Sequence, residues 1–356
     1  MKKKKKPQMG LPEKFVSRLQ ECCGVSVARE MEKSFVERLT TFRLNNIKAQ
    51  EHENIKANLS AQGFRLKKVS WYLDAFILEN KSKRDLTDTQ EYKDGKIYIQ
   101  SLASMVPPII LDPKPGEKIL DLTAAPGSKT SQIAMMMERT GELVANDVNK
   151  VRFFKLMHNM ELLGVSGSEG EPHPHVKWPA DHHVAGASLL EIEGGNDDES
   201  SKWNFRLRME HGSKLCKEFS EYFDKILLDA PCSAEARFII GQPKTLGFWS
   251  EKKIKDMAYT QRQLMLSAWG ALKPGGVMVY STCTMAPEEN EMQVSRLLER
   301  NPDAELMDIE LSSLKHLPPV KAWKGKVFDP TIKKTLRIMP TKEIEGFFVA
   351  KIRKRV

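Results

Sequence analysis

From Lys118 onward the chain repeats one unit: a short apolar run, a turn of small residues, and a stretch with helical spacing. A chain that alternates in this way is held to a narrow choice, because the helices must cover both faces of a sheet whose strands run parallel. The pattern predicts a doubly wound α/β fold. Strands are read at Lys118–Leu122, Glu142–Asn146, Phe205–Met209, Lys225–Leu228, Gly276–Tyr280 and Gly346–Ile352, with helices between them, most clearly Ser128–Arg139, Lys150–Leu163 and Asp256–Leu272. Residues 166–202 break the rhythm with Gly, Ser, Pro, His and acidic residues and read as a surface insertion.

The segment before this repeat has a different character. Residues 1–8 form a basic tail that reads as a solvated segment. Between Leu11 and about Lys48, Phe15, Leu19, Met31, Phe35 and Leu39 recur at helical intervals interrupted near Gly24, which predicts two or three short helices. Leu73, Ala75 and Ile77 then alternate as a half-buried strand does. Residues 9–96 thus read as a small α/β domain and 97–356 as the larger one. Arg43, Lys48, Lys56, Arg65, Lys67 and Lys68 are candidates for phosphate contact in the small domain, against the plainer reading of a solvated face. Removing residues 1–96 is expected to weaken binding of a nucleic acid and to spare cofactor binding.

With 356 residues and 40% apolar content the chain can build real cores. Its 56 Lys and Arg against 47 Asp and Glu leave a charge of +9, which favours an anionic partner, nucleic acid first and a membrane surface second. No stretch of 18 or more apolar residues is present, and Lys2 to Lys6 are not followed by an apolar core, so no membrane partner is expected and the location is read as cytoplasmic. The five cysteines, Cys22 and Cys23 among them, form neither an even framework nor a Cys-x-x-Cys pair. His173, His175, His182 and His183 lie in the insertion without supporting cysteine or carboxylate spacing, so no metal is expected.

Four motifs carry chemistry. In Asp121-Leu122-Thr123-Ala124-Ala125-Pro126-Gly127-Ser128-Lys129 a strand runs through small residues into a helix, so the backbone N–H groups of Ala125 to Ser128 can approach a ligand and the helix start favours a carboxylate. That suits the methionine end of S-adenosylmethionine. Asp147, after the next strand, can hold ribose hydroxyls, or it can cap the helix that begins near Lys150. A nicotinamide cofactor is disfavoured because no Gly-x-Gly-x-x-Gly loop is present. Asp229-Ala230-Pro231-Cys232 delivers an acid and a thiol to the ligand-binding edge of the sheet; the acid suits N3 and the amino group of a cytosine, while a lone cysteine there is often a small buried residue.

The fourth motif is Ser281-Thr282-Cys283-Thr284, followed by Glu288 to Glu291, which are read as the start of a helix. A helix start lowers a thiol pKa and the acids oppose that. Two thiols at neighbouring strand ends point to cytosine C5 chemistry: C5 is too poor a nucleophile to be methylated until a thiolate has added to C6.

With these motifs, and with Tyr98-Ile99-Gln100-Ser101, Arg337, Pro340 and Gly346-Phe347-Phe348, the chain resembles the Sun/Fmu-type RNA cytosine-C5 methyltransferases from Tyr98 to its C-terminus. The resemblance implies a class I methyltransferase sheet, S-adenosylmethionine as cofactor, and a structured RNA, tRNA or rRNA, as partner; a monomer is expected because the loop 123–129 and Asp147 form a site within one domain. The resemblance implies Cys283 as the nucleophile, Cys232 as the helper in product release, and Asp229 and Lys129 as further catalytic residues. For the cofactor it implies Thr123, Ala124, Ala125, Pro126, Gly127, Ser128, Lys129, Asp147, Arg152 and Asp229, although Arg152 also reads as a helix-face residue. The chain departs from the family at Thr123 and Ser128, both small, and at Ser213, which stands where the family presents an acid to the adenine. An RNA-binding assembly factor on the same fold and a DNA cytosine methylase are the alternatives. The first would have lost the thiols or the acid, and the second does not require a cysteine at 283.

Overall fold

The computed structural model describes residues 10–49, 52–166, 192–195 and 203–356. The basic tail and the four histidines of the insertion lie outside these residues. A four-stranded antiparallel sheet, built from β1 (Thr41–Leu44), β2 (Leu66–Lys68), β3 (Ala75–Leu78) and β4 (Ile97–Ile99), has the order β2-β3-β1-β4. The large sheet comprises β5 (Lys118–Asp121), β6 (Gly141–Asn146), β7 (Ile192–Gly195), β8 (Trp203–Arg208), β9 (Phe223–Asp229), β10 (Leu272–Thr282), β11 (Ala304–Leu306), β12 (His316–Leu317), β15 (Leu336–Ile338) and β16 (Phe347–Lys354). Between β12 and β15 lies a hairpin of β13 (Ala322–Trp323) and β14 (Lys326–Val327).

The order β12-β15-β16-β10-β9-β5-β6-β8-β7 makes the large sheet doubly wound and mixed. Its centre is parallel, β10-β9-β5-β6-β8, whereas β16, β15, β12, β11 and β7 pair antiparallel. From β5 the chain winds outward through β6 and β8, then returns to β9 on the other side. The crevice at the ends of β5 and β9 is therefore a topological switch point, where ligands of such sheets bind. The last strand, read as one more of the series, comes back antiparallel. Within the expected insertion, β7 adds an edge strand to β8.

The small sheet is not a detachable unit. β4 begins at Ile97, past the boundary expected at 96, and pairs with β1. Arg43, a candidate for phosphate contact, is instead fully buried; its Nε donates to Gln100 Oε1 at 2.9 Å and one terminal nitrogen donates to Ser131 Oγ at 2.7 Å, on the helix Ser128–Met136. A buried guanidinium has to satisfy its donors within the protein, and these bonds pin the small sheet to the helix that follows β5. Lys67 pairs with Glu343 and Lys56 with Glu53.

Phe15 and Leu19, on the helix Glu13–Cys23, and Met31, on the helix Val25–Glu32, are buried as their spacing predicts; Phe35 is buried too, but it lies past the end of the second helix. Leu39 and Leu73 are exposed, because the chain has left the helix before the first and is still in the turn that leads to β3 at the second. The two helices pack on the large domain, where the Phe15 ring meets Phe238 edge-on at 4.9 Å and Trp249 at 6.0 Å. No helix among the described residues is long and apolar enough to cross a membrane.

This packing predicts a different result of truncation from the one read in the sequence. Deleting residues 1–96 strips β4 of its partner and bares Phe238 and Met285, so the remainder is expected not to unfold cooperatively in urea, and cofactor binding is lost with the fold. Phe15→Ala should lower unfolding free energy by about 3–5 kcal/mol. A truncated chain with the full-length urea midpoint would contradict both expectations.

Candidate active site

A cavity of about 500 Å³ opens at the switch point, in the size range of a small-molecule site. Its lining includes Thr123 to Pro126, Ser128, Lys129, Asp147, Arg152, Asp229, Cys232 and Cys283, so every expected site residue lines it except Gly127. Gly127 lies in the same loop with φ +102°, and a Cβ there would come within 2.6 Å of Met160 Cε, so the turn needs glycine. Of the backbone amides expected to face a ligand, that of Ala125 donates to Asp147 Oδ2 at 3.2 Å and that of Gly127 to the Ala124 carbonyl at 2.8 Å. The start of the helix at Ser128 is what remains to face a carboxylate.

Asp147 is buried and lies at the end of β6. It is not the cap of the following helix; that is Asn149, whose side chain accepts from the Arg152 amide at 3.0 Å. Arg152 reaches Asp147 Oδ2 at 3.2 Å and donates to the Ala125 carbonyl, so it does more than occupy a helix face. Ser213 does not reach the cavity. Its hydroxyl is buried without a hydrogen-bond partner, while His211 and Gly212 line the wall.

Asp121 was missed as a site residue in the sequence, although it opens the small-residue motif. Its Oδ2 accepts from Thr130 Oγ1 at 2.7 Å, and its Oδ1 is buried with no partner. Burial pushes this carboxyl up to about 7. An orphaned buried acceptor on the cavity wall calls for a donor from a ligand, and the ammonium group of an amino acid fits it. The residues present therefore fit S-adenosylmethionine.

At the other end, Cys232 Sγ and Cys283 Sγ lie 3.2 Å apart. Beside them Asp229 Oδ2 meets Lys129 Nζ at 2.7 Å, and Asp229 Oδ1 accepts from Ser281 Oγ at 2.9 Å. Lys129 also donates to Ser104 Oγ at 2.8 Å, on the helix Leu102–Leu111. A hydrogen bond from the Cys232 thiol holds Cys283 down, to about 7, and the positive charges of Arg237 and Lys129 add to it against burial and Asp229. That same bond, together with burial, pushes Cys232 well above the ordinary thiol range. Arg237, on the exposed rim of the cavity, has its own pKa raised, first by Cys283. It too was missed, since one arginine five residues after a cysteine carries no pattern.

The expected source of the Cys283 shift is not there. The helix after the motif starts at Glu291, eight residues beyond the thiol, and the acids before it face elsewhere: Glu288 to Arg18 at 2.7 Å and Glu289 to Ser233 and Gln261. Among the described residues no cluster suited to a metal occurs.

A family model described as 16S rRNA methyltransferase RsmB/F matches residues 108–171 and 204–353. The chain belongs to this family. A second model, the N-terminal domain of 16S rRNA methyltransferase RsmF, matches residues 11–102. Among similar proteins, a tRNA (cytosine(49)-C(5))-methyltransferase from Pyrococcus abyssi is 35% identical over 315 residues, 88% of each chain. A ribosomal RNA small subunit methyltransferase F from Pectobacterium atrosepticum is 37% identical over 299 residues, 82% of this chain and 52% of that one. The chain thus spans about half the length of that relative. A solved structure of a methyltransferase homolog protein from Pyrococcus horikoshii superposes with a TM-score of 0.73 and 32% identity, over 97% of this chain and 96% of that one.

The charge pattern of this RsmB/F-family site gives a direct expectation for the thiols. Alkylation of Cys283 by iodoacetamide, followed by peptide mass spectrometry, should rise through a midpoint near pH 7, with Cys232 reacting only at much higher pH. Cys232→Ala removes the largest cause and should move the Cys283 midpoint up, and Arg237→Ala should move it up by less. Cys232 reacting first would reverse the assignment.

Proposed function

We propose that this chain methylates C5 of a cytosine in a structured RNA, tRNA or rRNA, through a covalent bond between Cys283 and C6. S-adenosylmethionine supplies the electrophilic methyl group, held through its ammonium group by Asp121, through its carboxylate at the start of the helix at Ser128, and through its ribose hydroxyls by Asp147. The observation that carries the reading is the thiol pair, 3.2 Å apart in one cavity with the Asp229–Lys129 ion pair and the cofactor loop.

Cys283, half ionised near neutral pH, adds its sulfur to C6. Asp229 accepts from the exocyclic amino group of the cytosine, and Lys129 beside it offers the protons that neutralise charge on the ring as the bond forms. After C5 is methylated, the C5 proton must leave so that the C5=C6 bond can re-form and the C6–S bond can break, with the electrons returning to Cys283. Cys232 takes that proton as a thiolate, after its own proton has left to solvent through the mouth of the cavity. The first cause that holds it protonated is its hydrogen bond to Cys283, and that bond is weakened once Cys283 is bonded to carbon.

RNA binding through phosphates should fall steeply with salt, as the +9 charge implies. Because the cofactor residues all come from one chain, a purified monomer should bind S-adenosylmethionine. Asp147→Ala should weaken that binding and Ser213→Ala should not; calorimetry giving the opposite order would mean the cofactor lies elsewhere.

The two cysteines are separated by their mutants. Cys283→Ala should abolish methylation and form no adduct, whereas Cys232→Ala should accumulate a protein–RNA adduct that survives denaturing electrophoresis and maps to Cys283. An adduct on Cys232 in the Cys283→Ala protein would exchange their roles. Bisulfite sequencing of RNA from cells with and without the gene identifies the target cytosine.

A further inference from the structure

Ser233 and Thr284, the residues immediately after the two thiols, are buried, and their hydroxyls lie 2.8 Å apart. Each hydroxyl also reaches a buried carboxyl group, Ser233 Oγ that of Glu289 and Thr284 Oγ1 that of Glu235 at 2.9 Å. None of these four residues lines the cavity. They form a chain behind it, Glu289–Ser233–Thr284–Glu235, held at its ends by backbone. The Ser233 amide donates to Glu289 Oε2 at 2.9 Å and the Met285 amide to Glu235 Oε2 at 3.1 Å.

The protons in this chain can be counted. It contains three short oxygen-to-oxygen contacts, and each needs one hydrogen; a fourth and longer approach, Thr284 Oγ1 to Glu289 Oε1 at 3.4 Å, shares the Thr284 hydroxyl. Two hydroxyls supply two. If both acids were ionised, one contact would set two oxygens against each other without a hydrogen, in a place water does not reach. One proton shared by the acids completes all three contacts in a single direction.

We propose that Glu289 and Glu235 hold one proton between them across Ser233 and Thr284, and that this chain sets the spacing of the two thiols. Glu289 and Glu235 are positioning residues, and the proposal rests on reading Cys232 and Cys283 as the reacting pair. The donors around the acids favour their ionised forms, and burial outweighs them. Glu289 Oε2 accepts from Gln261 Nε2 at 2.9 Å, Glu235 Oε1 accepts from Trp249 Nε1 at 2.7 Å, and the Tyr280 hydroxyl donates to the Glu289 carbonyl at 2.5 Å. Among the described residues no cation pairs with either acid directly. Arg18 faces Glu235 from the first helix but forms its ion pairs with Glu288 at 2.7 Å and Glu251 at 3.5 Å. The charge of Cys232 on the cavity side acts on Glu289 as a further negative group when ionised. Burial pushes Glu289 up to about 8 and raises Glu235 as well.

The sign of the pH effect follows. A carboxyl whose folded pKa is raised keeps its proton where the unfolded chain has lost it, so its contribution to stability is full below the unfolded carboxyl range and is lost as pH rises through about 8. Glu289→Gln supplies a permanent donor and does not titrate. In the full-length protein, thermal unfolding measured from pH 6 to 9 should lose less stability in Glu289→Gln than in wild type, and the fall of kcat above about pH 8 should flatten, with KM for S-adenosylmethionine unchanged. Ser233→Ala breaks the chain and should lower kcat on the order of tenfold at unchanged KM, as expected when reacting groups are displaced. Glu235→Gln carries the same test if Glu289→Gln does not fold. A wild-type slope of stability against pH in both Gln variants overturns the shared proton. Methylation that survives Cys283→Ala while the slope still flattens supports the shared proton and refutes the catalytic reading instead.

Discussion

The parallel pairing of β9 between β5 and β10 is the constraint on which the rest depends. Its register sets Leu227 against Asp121 and Asp229 against Ser281. Each strand then releases its chain at the same edge of the sheet, where β5 runs out into Leu122 and Thr123, β9 ends on Asp229 before Ala230 to Cys232, and β10 runs out into Cys283. Thr123 Oγ1 donates to the Asp229 carbonyl at 2.8 Å and the Ala230 amide to the Ser281 carbonyl at 2.9 Å, so the ladder continues into the site as loop contacts. A slip of one residue in β9 would turn Asp229 away from Lys129, because successive side chains in a strand alternate faces.

Around this edge the molecule places groups that titrate close to neutrality. Asp121 at about 7, Cys283 at about 7 and Glu289 at about 8 come from three different causes: burial with one oxygen unpartnered, a hydrogen bond from a second thiol, and burial next to another acid. Groups buried without a full set of partners cost stability, and a protein retains them where they serve binding or chemistry. The helices at the N-terminal end offset part of that cost by covering the loop that carries Glu235, Phe238 and Trp249. The segment read as a separate RNA-contact module therefore also packs on the loop that follows Cys232, through Phe15 against Phe238 and Trp249.

How much was legible in the residues depends on how local the cause is. The central strands were read within a few residues of their observed ends, because apolar runs bounded by Gly, Pro and Asp are a local signal. Cys232, Cys283, Asp229 and Asp147 could be brought to one cavity from the sequence because strand ends in this fold converge on one edge; Lys129, on the helix after β5, came only from the resemblance. The helix Leu102–Leu111 went unread, since Pro107 and Pro108 interrupt it, and packing rather than propensity holds it. Arg43 was misread as a surface cation because nothing in its neighbours tells of Gln100 and Ser131 closing over it.

The sequence by itself determined the fold class, the ligand-binding edge and the pair of thiols, since periodicity and strand-end residues are properties of short segments. Only the tertiary structure decided which acids titrate near neutrality, that Arg237 rather than a helix start faces Cys283, that Ser213 does not reach the cavity, and that residues 13–35 pack on the loop after Cys232. The physical reason is that burial and charge pairing depend on residues far apart in the chain: Arg18 meets Glu288 and Ser233 meets Glu289 only after the sheet has closed.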